Sequence, residues 1–544
     1  MSNIASLITK QATYFPYKRA LIVPEKHAKL GNRLYAQLTF LQTETMINQY
    51  ARGFLNIGIQ KGDRVSLFVR PCLEFMPLVF ALYKIGAIVV LIDPGMGRNG
   101  LLSCIERIAP KALIAIPQAM MATFVYPKKF RSVEIKVTVH GKTWLWGGHE
   151  LENVRSSDGS PLDLPPTDLE DEASILFTSG STGPAKGVRY THGILHTQSQ
   201  LIKEMYHIEA DEIDLPCFPL FGLFSLAIGM SVVIPDMDPT KPALADPKLL
   251  LESIFDQGVT TLFASPALLA PFADYCIQNH IKLPMLRRIL SAGAPIPPQL
   301  HEKFSNILSE GVFIHTPYGA TESLPVATIS SHEVLTETRH LTDQGHGTCV
   351  GQPAPKIEIQ IIGITDDPIS HWSEVQLLPT GTYGEICVKG PVVTTEYKEE
   401  PEHTKMAKII DSDGKIWHRM GDIGYFDNKN QLWFCGRKSH RVVLESGETL
   451  FPVPCEALFN LHEDVKRSAL VGVHGRAYIV IECHAHPSQS QSQIKQDLHH
   501  KIHSIPQLQN ITDVFFHPSF PVDVRHNAKI HRLQLANWVR SQLK

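Results

Sequence analysis

Residues 174–187, SILFTSGSTGPAKG, join an apolar strand to a loop of glycines, small hydroxylated residues and one lysine. Glycine at positions 180 and 183 lets the backbone approach a bulky anion, because no Cβ stands in the way. The hydroxyl groups can donate hydrogen bonds, and Lys186 adds a positive charge. The stretch therefore predicts a loop that binds phosphate oxygens. It does not fit the Walker A spacing G-x-x-x-x-G-K-[ST], and a surface turn is the alternative for the loop taken alone.

The composition is that of an ordinary globular protein large enough for two or more domains. The chain has 544 residues, of which 43% are hydrophobic and 19% charged, with a net charge of −3. This balance gives no electrostatic reason to expect nucleic acid or an anionic membrane as a partner. Nine cysteines contain no C-x-x-C pair, so their pattern suggests neither a disulfide framework nor a zinc site. We expect a soluble protein of the reducing cytoplasm.

No segment has the pattern of a signal peptide or a membrane span. The most apolar stretch, residues 76–92, carries Lys84 and is interrupted by Gly86. A span needs about 20 apolar residues. A buried helix followed by a buried strand is the interpretation that fits this stretch.

The order of apolar runs predicts an α/β fold with a second, smaller domain. Apolar strands alternate with amphipathic segments such as 73–85 and 247–257, which favours parallel sheets covered by helices. From residue 356 strands follow closely on one another, which indicates a small antiparallel, β-barrel-like subdomain at about 350–436. We predict a large N-terminal domain over 1–436 and a small, mobile α+β domain over 437–544. The predicted strands of the first part are 64–70, 87–92, 112–116, 174–178, 231–235, 261–265, 288–291 and 312–315.

Four further motifs follow the loop in order. They are YGATE at 318–322, Gly-Asp at 421–422, Gly-Arg at 436–437 and Lys529 in PVDVRHNAK. Together with the loop they resemble the signatures of the adenylate-forming, or AMP-binding, superfamily, which includes acyl-CoA synthetases, peptide-synthetase adenylation domains and luciferases. The resemblance covers essentially the whole chain and implies binding of ATP and Mg²⁺ in the cleft between the two domains.

The resemblance also implies which residues form the site. The expected ATP-binding residues are Thr178, Ser179, Gly180, Ser181, Thr182, Gly183, Lys186, Gly293, Ala294, Pro295, Tyr318, Gly319, Thr321, Asp422, Arg437 and Lys529. Glu322 and Thr178 are the expected Mg²⁺ ligands. The expected catalytic residues are Lys529, Glu322 and Thr321.

Each expected role has a chemical reason. The loop would hold the β- and γ-phosphates, although its proline stands one place earlier than in the usual T-G-x-P-K-G. Glu322 would supply a carboxylate to Mg²⁺, which takes oxygen ligands. Lys529 would stabilise charge that develops on the α-phosphate and carboxylate oxygens. For Glu322 the alternative is a solvated surface acid, and for Lys529 a solvated surface lysine.

The remaining residues would recognise the nucleoside. Tyr318 would stack on adenine, and the small side chains of residues 291–295 (SAGAP) would line the adenine pocket. Asp422 would accept hydrogen bonds from the ribose hydroxyls, and Arg437 would contact ribose or phosphates after the C-terminal domain rotates. The alternative for Tyr318 is a residue of the core, the alternative for Asp422 is a residue of a β-turn, and the alternative for Arg437 is a structural salt bridge.

At two positions the sequence differs from the CoA ligases of the superfamily, and both differences argue against a reaction with CoA. In the stretch LPCFPLFG at 215–222, Gly222 stands where those ligases have a histidine, and Ser439 replaces the usual aspartate two places after Arg437. Both changes lie where CoA would be engaged.

His499 and His503 share a helix face but lack the H-E-x-x-H pattern, so a solvated face is favoured over a metal site.

Longer stretches at 234–247, 315–326, 418–438 and 520–529 resemble the β-lactone synthetases of bacterial long-chain olefin biosynthesis, a branch of the same superfamily. This resemblance implies adenylation of a 2-alkyl-3-hydroxy fatty acid, whose own hydroxyl then displaces AMP without CoA. The expected partners are this small lipid acid and other enzymes of hydrocarbon biosynthesis. A fatty acyl-CoA or acyl-carrier ligase is the second hypothesis, and a catalytically inactive nucleotide-binding module is the third.

Overall fold

The computed structural model describes residues 3–28, 31–164, 166–178, 185–522 and 530–543. The strands in this part of the chain are, in order, β1 (Arg19–His27), β2 (Arg33–Thr39), β3 (Arg64–Phe68), β4 (Ile88–Ile92), β5 (Ala112–Ala115), β6 (Ile135–Thr138), β7 (His149–Glu150), β8 (Glu172–Thr178), β9 (Lys186–Thr191), β10 (Ile213–Pro216), β11 (Ser231–Val233), β12 (Thr261–Phe263), β13 (Arg288–Leu290), β14 (Phe313–Ala320), β15 (Ser323–Ser330), β16 (Thr348–Pro353), β17 (Glu358–Ile362), β18 (Gly384–Lys389), β19 (Lys408–Ile410), β20 (Ile416–Phe426), β21 (Leu432–Arg437), β22 (Val442–Val443), β23 (Thr449–Leu450), β24 (Val465–Val473), β25 (Arg476–Cys483) and β26 (Ile511–Phe516).

The helices alternate with the strands. They are α1 (Ser6–Tyr14), α2 (Phe40–Asn56), α3 (Phe75–Lys84), α4 (Gly97–Ile108), α5 (Pro117–Val125), α6 (Leu151–Val154), α7 (His192–Met205), α8 (Phe221–Ile228), α9 (Pro247–Gln257), α10 (Pro266–Gln278), α11 (Pro298–Ser305), α12 (Ser331–Glu333), α13 (Arg339–Asp343), α14 (Pro401–Ala407), α15 (Pro452–Phe459), α16 (Gln491–Ser504) and α17 (Arg532–Gln542). Within the described ranges, none of these helices is long and apolar enough to cross a membrane.

One sheet has seven strands in the order β7-β6-β5-β3-β4-β8-β9. All neighbours in it are parallel except β8 and β9, which form an antiparallel pair at one edge. The short apolar runs of β3, β4 and β5 form parallel strands because helices cross between them and cover the sheet. The α/β fold class predicted from these runs is confirmed.

The second sheet has fourteen strands, in the order β17-β18-β20-β21-β16-β15-β14-β13-β12-β10-β11-β1-β2, with β19 paired to β20. Strands β11, β10, β12, β13 and β14 are parallel, and the strands from β14 to β17 are antiparallel. The strands assigned from sequence to a separate β-rich unit are therefore hydrogen bonded to the parallel part through β15 and β16. Strands β1 and β2 were not predicted, and they extend the other end of this sheet.

Helices α2 and α3 lie in the space between the two sheets. One apolar cluster combines Phe40 and Phe80 from these helices with Val65 of β3 and Val232 of β11. Each of these side chains is at most 1% exposed. Burial of this shared core fixes the relative position of the sheets, because apolar area removed from water contributes about 25 cal/mol per Å².

The C-terminal part contains two apolar clusters of its own, on opposite faces of a small sheet. Strands β24, β25 and β26 form this sheet. Ile479 belongs to the cluster that packs against α15 and α16, and its neighbour Val480 to the cluster that packs against α17. Helix α15 has Pro452 in its first turn, where the missing N–H of proline costs no hydrogen bond. Ser490 caps the N-terminus of α16 by accepting from the backbone N–H of Gln493.

Candidate active site

The flanks of the predicted phosphate loop are held by the antiparallel pair β8 and β9. Thr178 ends β8 and lies opposite Lys186 in the ladder. Arg107 hydrogen bonds to the carbonyl oxygen of Ala185 and pairs with Glu400, which anchors the end of the loop. Residues 179–184 lie outside the described residues, and with them the expected ligands Ser179, Gly180, Ser181, Thr182 and Gly183.

The YGATE motif forms the end of β14 and the turn into β15. Gly319 is required in this turn, because a Cβ there would lie 2.6 Å from the carbonyl oxygen of Ser323. The Tyr190 hydroxyl donates to the carbonyl oxygen of Thr321. The backbone N–H of Thr394 donates to the carbonyl oxygen of Glu322 at 2.9 Å. These bonds fix the backbone that carries the expected metal ligand.

The side chain of Glu322 is held by a residue that the sequence motifs did not indicate. The Tyr397 hydroxyl donates to Glu322 Oε1 at 2.6 Å, and Tyr397 is only 5% exposed. The ammonium of Lys186 lies 5.0 Å from the centroid of the Tyr397 ring. Tyr397 thus contacts both the lysine of the phosphate loop and the carboxylate of the YGATE motif.

A second residue absent from the predictions, Lys408, lies beneath the same ring. Its ammonium is 5.9 Å from the Tyr397 ring centroid and donates to the carbonyl and hydroxyl oxygens of Thr394. Burial lowers the pKa of Lys408 to about 7, and the nearby Glu322 carboxylate opposes this change. In the ladder Lys408 faces His418, whose pKa burial lowers well below 6.5.

The expected nucleoside-binding residues meet on adjacent strands. The Tyr318 hydroxyl donates to Asp422 Oδ2 at 2.6 Å, and Arg437 Nη1 lies 3.0 Å from Asp422 Oδ1. Desolvation raises the pKa of the buried Asp422 carboxyl, while the Arg437 charge opposes that rise. Asp422 lies inside strand β20, opposite Arg437 of β21. The alternative interpretation, that Asp422 is a β-turn residue, is therefore wrong.

The SAGAP segment follows β13, whose neighbour β14 carries Tyr318. Both strands are parallel, so SAGAP and Tyr318 reach the same edge of the sheet, where ligands of such sheets bind. Gly293 and Pro295 are exposed, and Ala294 is half-buried. Ala292 packs against an apolar cluster that contains Phe221 and Phe263.

Helix α8 lies between two apolar clusters: Phe221 packs against this one, and Leu223 and Phe224 pack against the cluster shared by the two sheets. The rings of Phe221 and Phe263 stack with centroids 3.9 Å apart, and Leu223 and Phe224 are half-buried on the same helix. Gly222 is buried, and a Cβ at this position would lie 2.4 Å from Met76 Cε. A histidine at position 222 would therefore displace the side chain of Met76.

The expected hinge region is tied to the fourteen-stranded sheet by ion pairs. Lys438 Nζ lies 3.3 Å from Glu385 Oε2, and Arg441 pairs with Asp366. Ser439 between them is exposed. Lys529 lies outside the described residues, so its expected catalytic role stays a prediction.

The two covered sheets, with Tyr318, Asp422 and Arg437 together on adjacent strands, are consistent with the class of adenylate-forming enzymes. The model of the AMP-binding enzyme family matches residues 8–398, and the chain belongs to this family. Enzymes of this family use ATP.

Relatives match along the full length. The chain is 41% identical, over 553 residues and all of its length, to the olefin beta-lactone synthetase of Xanthomonas campestris pv. campestris, of which 98% is covered. It is 40% identical, again over all of its length, to the olefin beta-lactone synthetase of Stenotrophomonas maltophilia, of which 99% is covered. Its fold is similar to that of ATP-bound MatB from Rhodopseudomonas palustris, with a TM-score of 0.78 and 19% identity over the whole of both chains.

Proposed function

We propose that the protein uses ATP to activate a 2-alkyl-3-hydroxy fatty acid and closes it to a β-lactone, with release of AMP and pyrophosphate. The observation that carries this proposal is the identity of 40–41% over the full chain to two olefin beta-lactone synthetases. The arrangement of the groups around Asp422 and Glu322 supports it.

ATP binding would use the groups already oriented around Asp422. Tyr318 and Arg437 hold the two oxygens of this carboxylate. In the complex the ribose hydroxyls would donate to Asp422, and the adenine would lie against Tyr318 and the strip of Gly293, Ala294 and Pro295. A buried carboxylate suits this role, because hydrogen bonds to a charged acceptor are the stronger ones.

Mg²⁺ would be held by Glu322, with Thr178 as a further oxygen ligand. The residues fit such an ion, since Glu322 offers a carboxylate whose Oε1 is already oriented by Tyr397 and since Mg²⁺ prefers oxygen donors. When bound, the ion neutralises phosphate charge. Lys186, beside the same tyrosine, would contact the β- and γ-phosphates together with the loop residues 179–183.

In the first reaction the substrate carboxylate oxygen attacks the α-phosphorus. The bond from this phosphorus to the bridging oxygen of pyrophosphate breaks, and an acyl-AMP is formed. Lys529 would stabilise the negative charge of this transition state, and Thr321 would help to position the phosphate. We propose that residues 437–544 form a mobile domain that brings Lys529 to the site.

In the second reaction the 3-hydroxyl oxygen attacks the acyl carbonyl carbon, its proton passes to solvent, and AMP leaves. The nucleophile belongs to the substrate, so effective molarity replaces a second binding site. The alkyl chains would lie beside the half-buried Phe221 of α8. Enzymes that make the hydroxy acid and consume the lactone would be the partners, and the cytoplasm would be their shared location.

The test is a single incubation with ATP, Mg²⁺ and a 2-alkyl-3-hydroxy fatty acid in the absence of CoA. We expect β-lactone, AMP and pyrophosphate in equal amounts, measured by chromatography and a pyrophosphate assay. The same acid without its 3-hydroxyl should stop at bound acyl-AMP. Efficient formation of an acyl-CoA thioester from a simple fatty acid would establish the ligase instead, and ADP with phosphate would exclude adenylation.

A further inference from the structure

Three side chains that could bind a metal ion meet away from the predicted nucleotide site. The donor atoms of Cys72, Glu74 and His140 all lie within 4.8 Å of one another, and His140 Nε2 is 3.2 Å from Glu74 Oε2. Among the residues that the structure describes, this is the one group of three such donors. We propose that Cys72, Glu74 and His140 form a binding site for one divalent transition-metal cation of the zinc type.

The sheet topology explains why residues so far apart in sequence meet. Cys72 and Glu74 follow β3, and His140 follows β6, and both strands lie close to β5 in the order β6-β5-β3. All three strands are parallel, so the segments after them leave the same edge of the sheet. From β3 the chain proceeds to β4 on one side, and from β5 it proceeds to β6 on the other. Ligands of open α/β sheets bind in the crevice at such a change of direction.

The donor types select the ion. A thiolate, an imidazole and a carboxylate are the ligands that zinc takes in proteins, while Mg²⁺ and Ca²⁺ avoid sulfur. Zinc bond lengths of about 2.0–2.3 Å place the donors of a tetrahedral site about 3.3–3.6 Å apart. The donor atoms, which lie up to 4.8 Å apart, need to approach each other by up to about 1.5 Å to reach this spacing. On binding, the sulfur–metal bond replaces the S–H bond and the proton passes to solvent.

The site has an open side. The side chain of His140 is 51% exposed and that of Glu74 is 19% exposed, so an ion can enter from solvent. A fourth position would be left for water, as in zinc sites with three protein ligands.

The site is also close to helix α8. Glu74 precedes the first residue of α3, and Met76 in the first turn of α3 touches the position of Gly222. A bound cation would tie the start of α3, which contacts α8 through Met76, to the segment that follows β6.

Cobalt(II) is the probe for this site, because a cobalt–thiolate bond gives a near-ultraviolet charge-transfer band. The full-length protein, stripped with a chelator, is titrated with CoCl₂ and then with ZnCl₂. We expect one equivalent of cobalt per chain, displaced by zinc and not by Mg²⁺. Cys72→Ser should abolish the band, and His140→Asn should weaken binding by at least about tenfold. Asparagine is chosen because it tolerates the positive φ of 54° at position 140.

Cys483→Ser is the matched control, since Cys483 is also a half-buried free thiol and lies in the C-terminal part. This variant should keep the full band. A second measurement covers the case in which Cys72→Ser fails to fold. Zinc should slow the alkylation of Cys72 in the unaltered protein, read by mass spectrometry, while Cys483 reacts at the same rate. The absence of a band, a band that survives in Cys72→Ser, or unprotected Cys72 would each overturn the proposal.

Discussion

Replacement of Tyr397 by phenylalanine tests what its hydroxyl group contributes to the predicted metal ligand Glu322. The substitution removes the hydrogen bond of 2.6 Å to Glu322 Oε1 and keeps the ring beside Lys186 and Lys408. A hydrogen bond to a charged group contributes about 1.5–3 kcal/mol, and 1.36 kcal/mol corresponds to a factor of ten. If the hydroxyl positions Glu322 for Mg²⁺, the Mg²⁺ concentration for half-maximal adenylation should rise by about 10- to 100-fold.

The assay is acid-dependent exchange between ATP and pyrophosphate across a Mg²⁺ titration. Tyr397→Leu removes the ring as well, so it should add a loss of ATP affinity through Lys186. Tyr17→Phe is the control, because Tyr17 is 83% exposed. The positioning role of the hydroxyl would be refuted by a folded Tyr397→Phe protein whose Mg²⁺ dependence stays within twofold of the unaltered one.

Three further variants test separate parts of the molecule. Asp422→Ala should weaken ATP binding by about 10- to 100-fold in calorimetry through lost hydrogen bonds to a charged group, and unchanged affinity would contradict the ribose role. Lys529→Ala should slow adenylation by about 10²–10³ with an unchanged melting temperature, and near-normal pyrophosphate exchange would exclude its catalytic role. Desolvation raises the pKa of Glu482, but hydrogen bonds from Arg467 and Lys466 outweigh it and lower this pKa from 4.5 to about 2. The stabilising effect of the carboxylate is therefore complete above pH 4.5 and is lost as the pH falls toward 2. Glu482→Gln should therefore lower the melting temperature at pH 7, and the difference should shrink below pH 4.5; a difference that does not depend on pH would exclude the ionic cause.

Apolar periodicity predicted parallel strands such as β3, β4, β5, β12 and β13, because continuous apolar runs mark strands buried on both faces. It missed the parallel strands β6, β7 and β10. The strand expected at 112–116 is β5, and the helix expected at 247–257 is α9 with the same ends. Periodicity failed for β1 and β2, where polar residues such as Lys26 and Arg33 interrupt the pattern. An apolar pattern also cannot reveal the buried charged residues of β20, such as Arg419 and Asp422, which are paired with partners on neighbouring strands.

The contacts between motifs were also beyond the reach of the sequence. Tyr397 and Lys408 lie in stretches without a recognisable motif. Tyr397 forms an isolated bridge with Val188 of β9, and Lys408 lies on β19, which pairs with β20, so only the fold brings these side chains close to Glu322. Cys72 and His140 are 68 positions apart in the chain, and the cysteine pattern by itself argued against a zinc site. Only the order of strands β6, β5 and β3 brings these donors together.

The sequence by itself determined the family, the α/β class and the chemical types of the expected site residues. Motifs are local, since a loop that admits phosphate or a turn that carries a carboxylate depends on residues adjacent in the chain. Tertiary structure decided which groups hold these residues in place. Tyr397 donates a hydrogen bond to Glu322, and Asp422 accepts one from Tyr318 and forms an ion pair with Arg437. Such pairings depend on strand order and register, because a shift of one residue turns every side chain to the opposite face of a sheet.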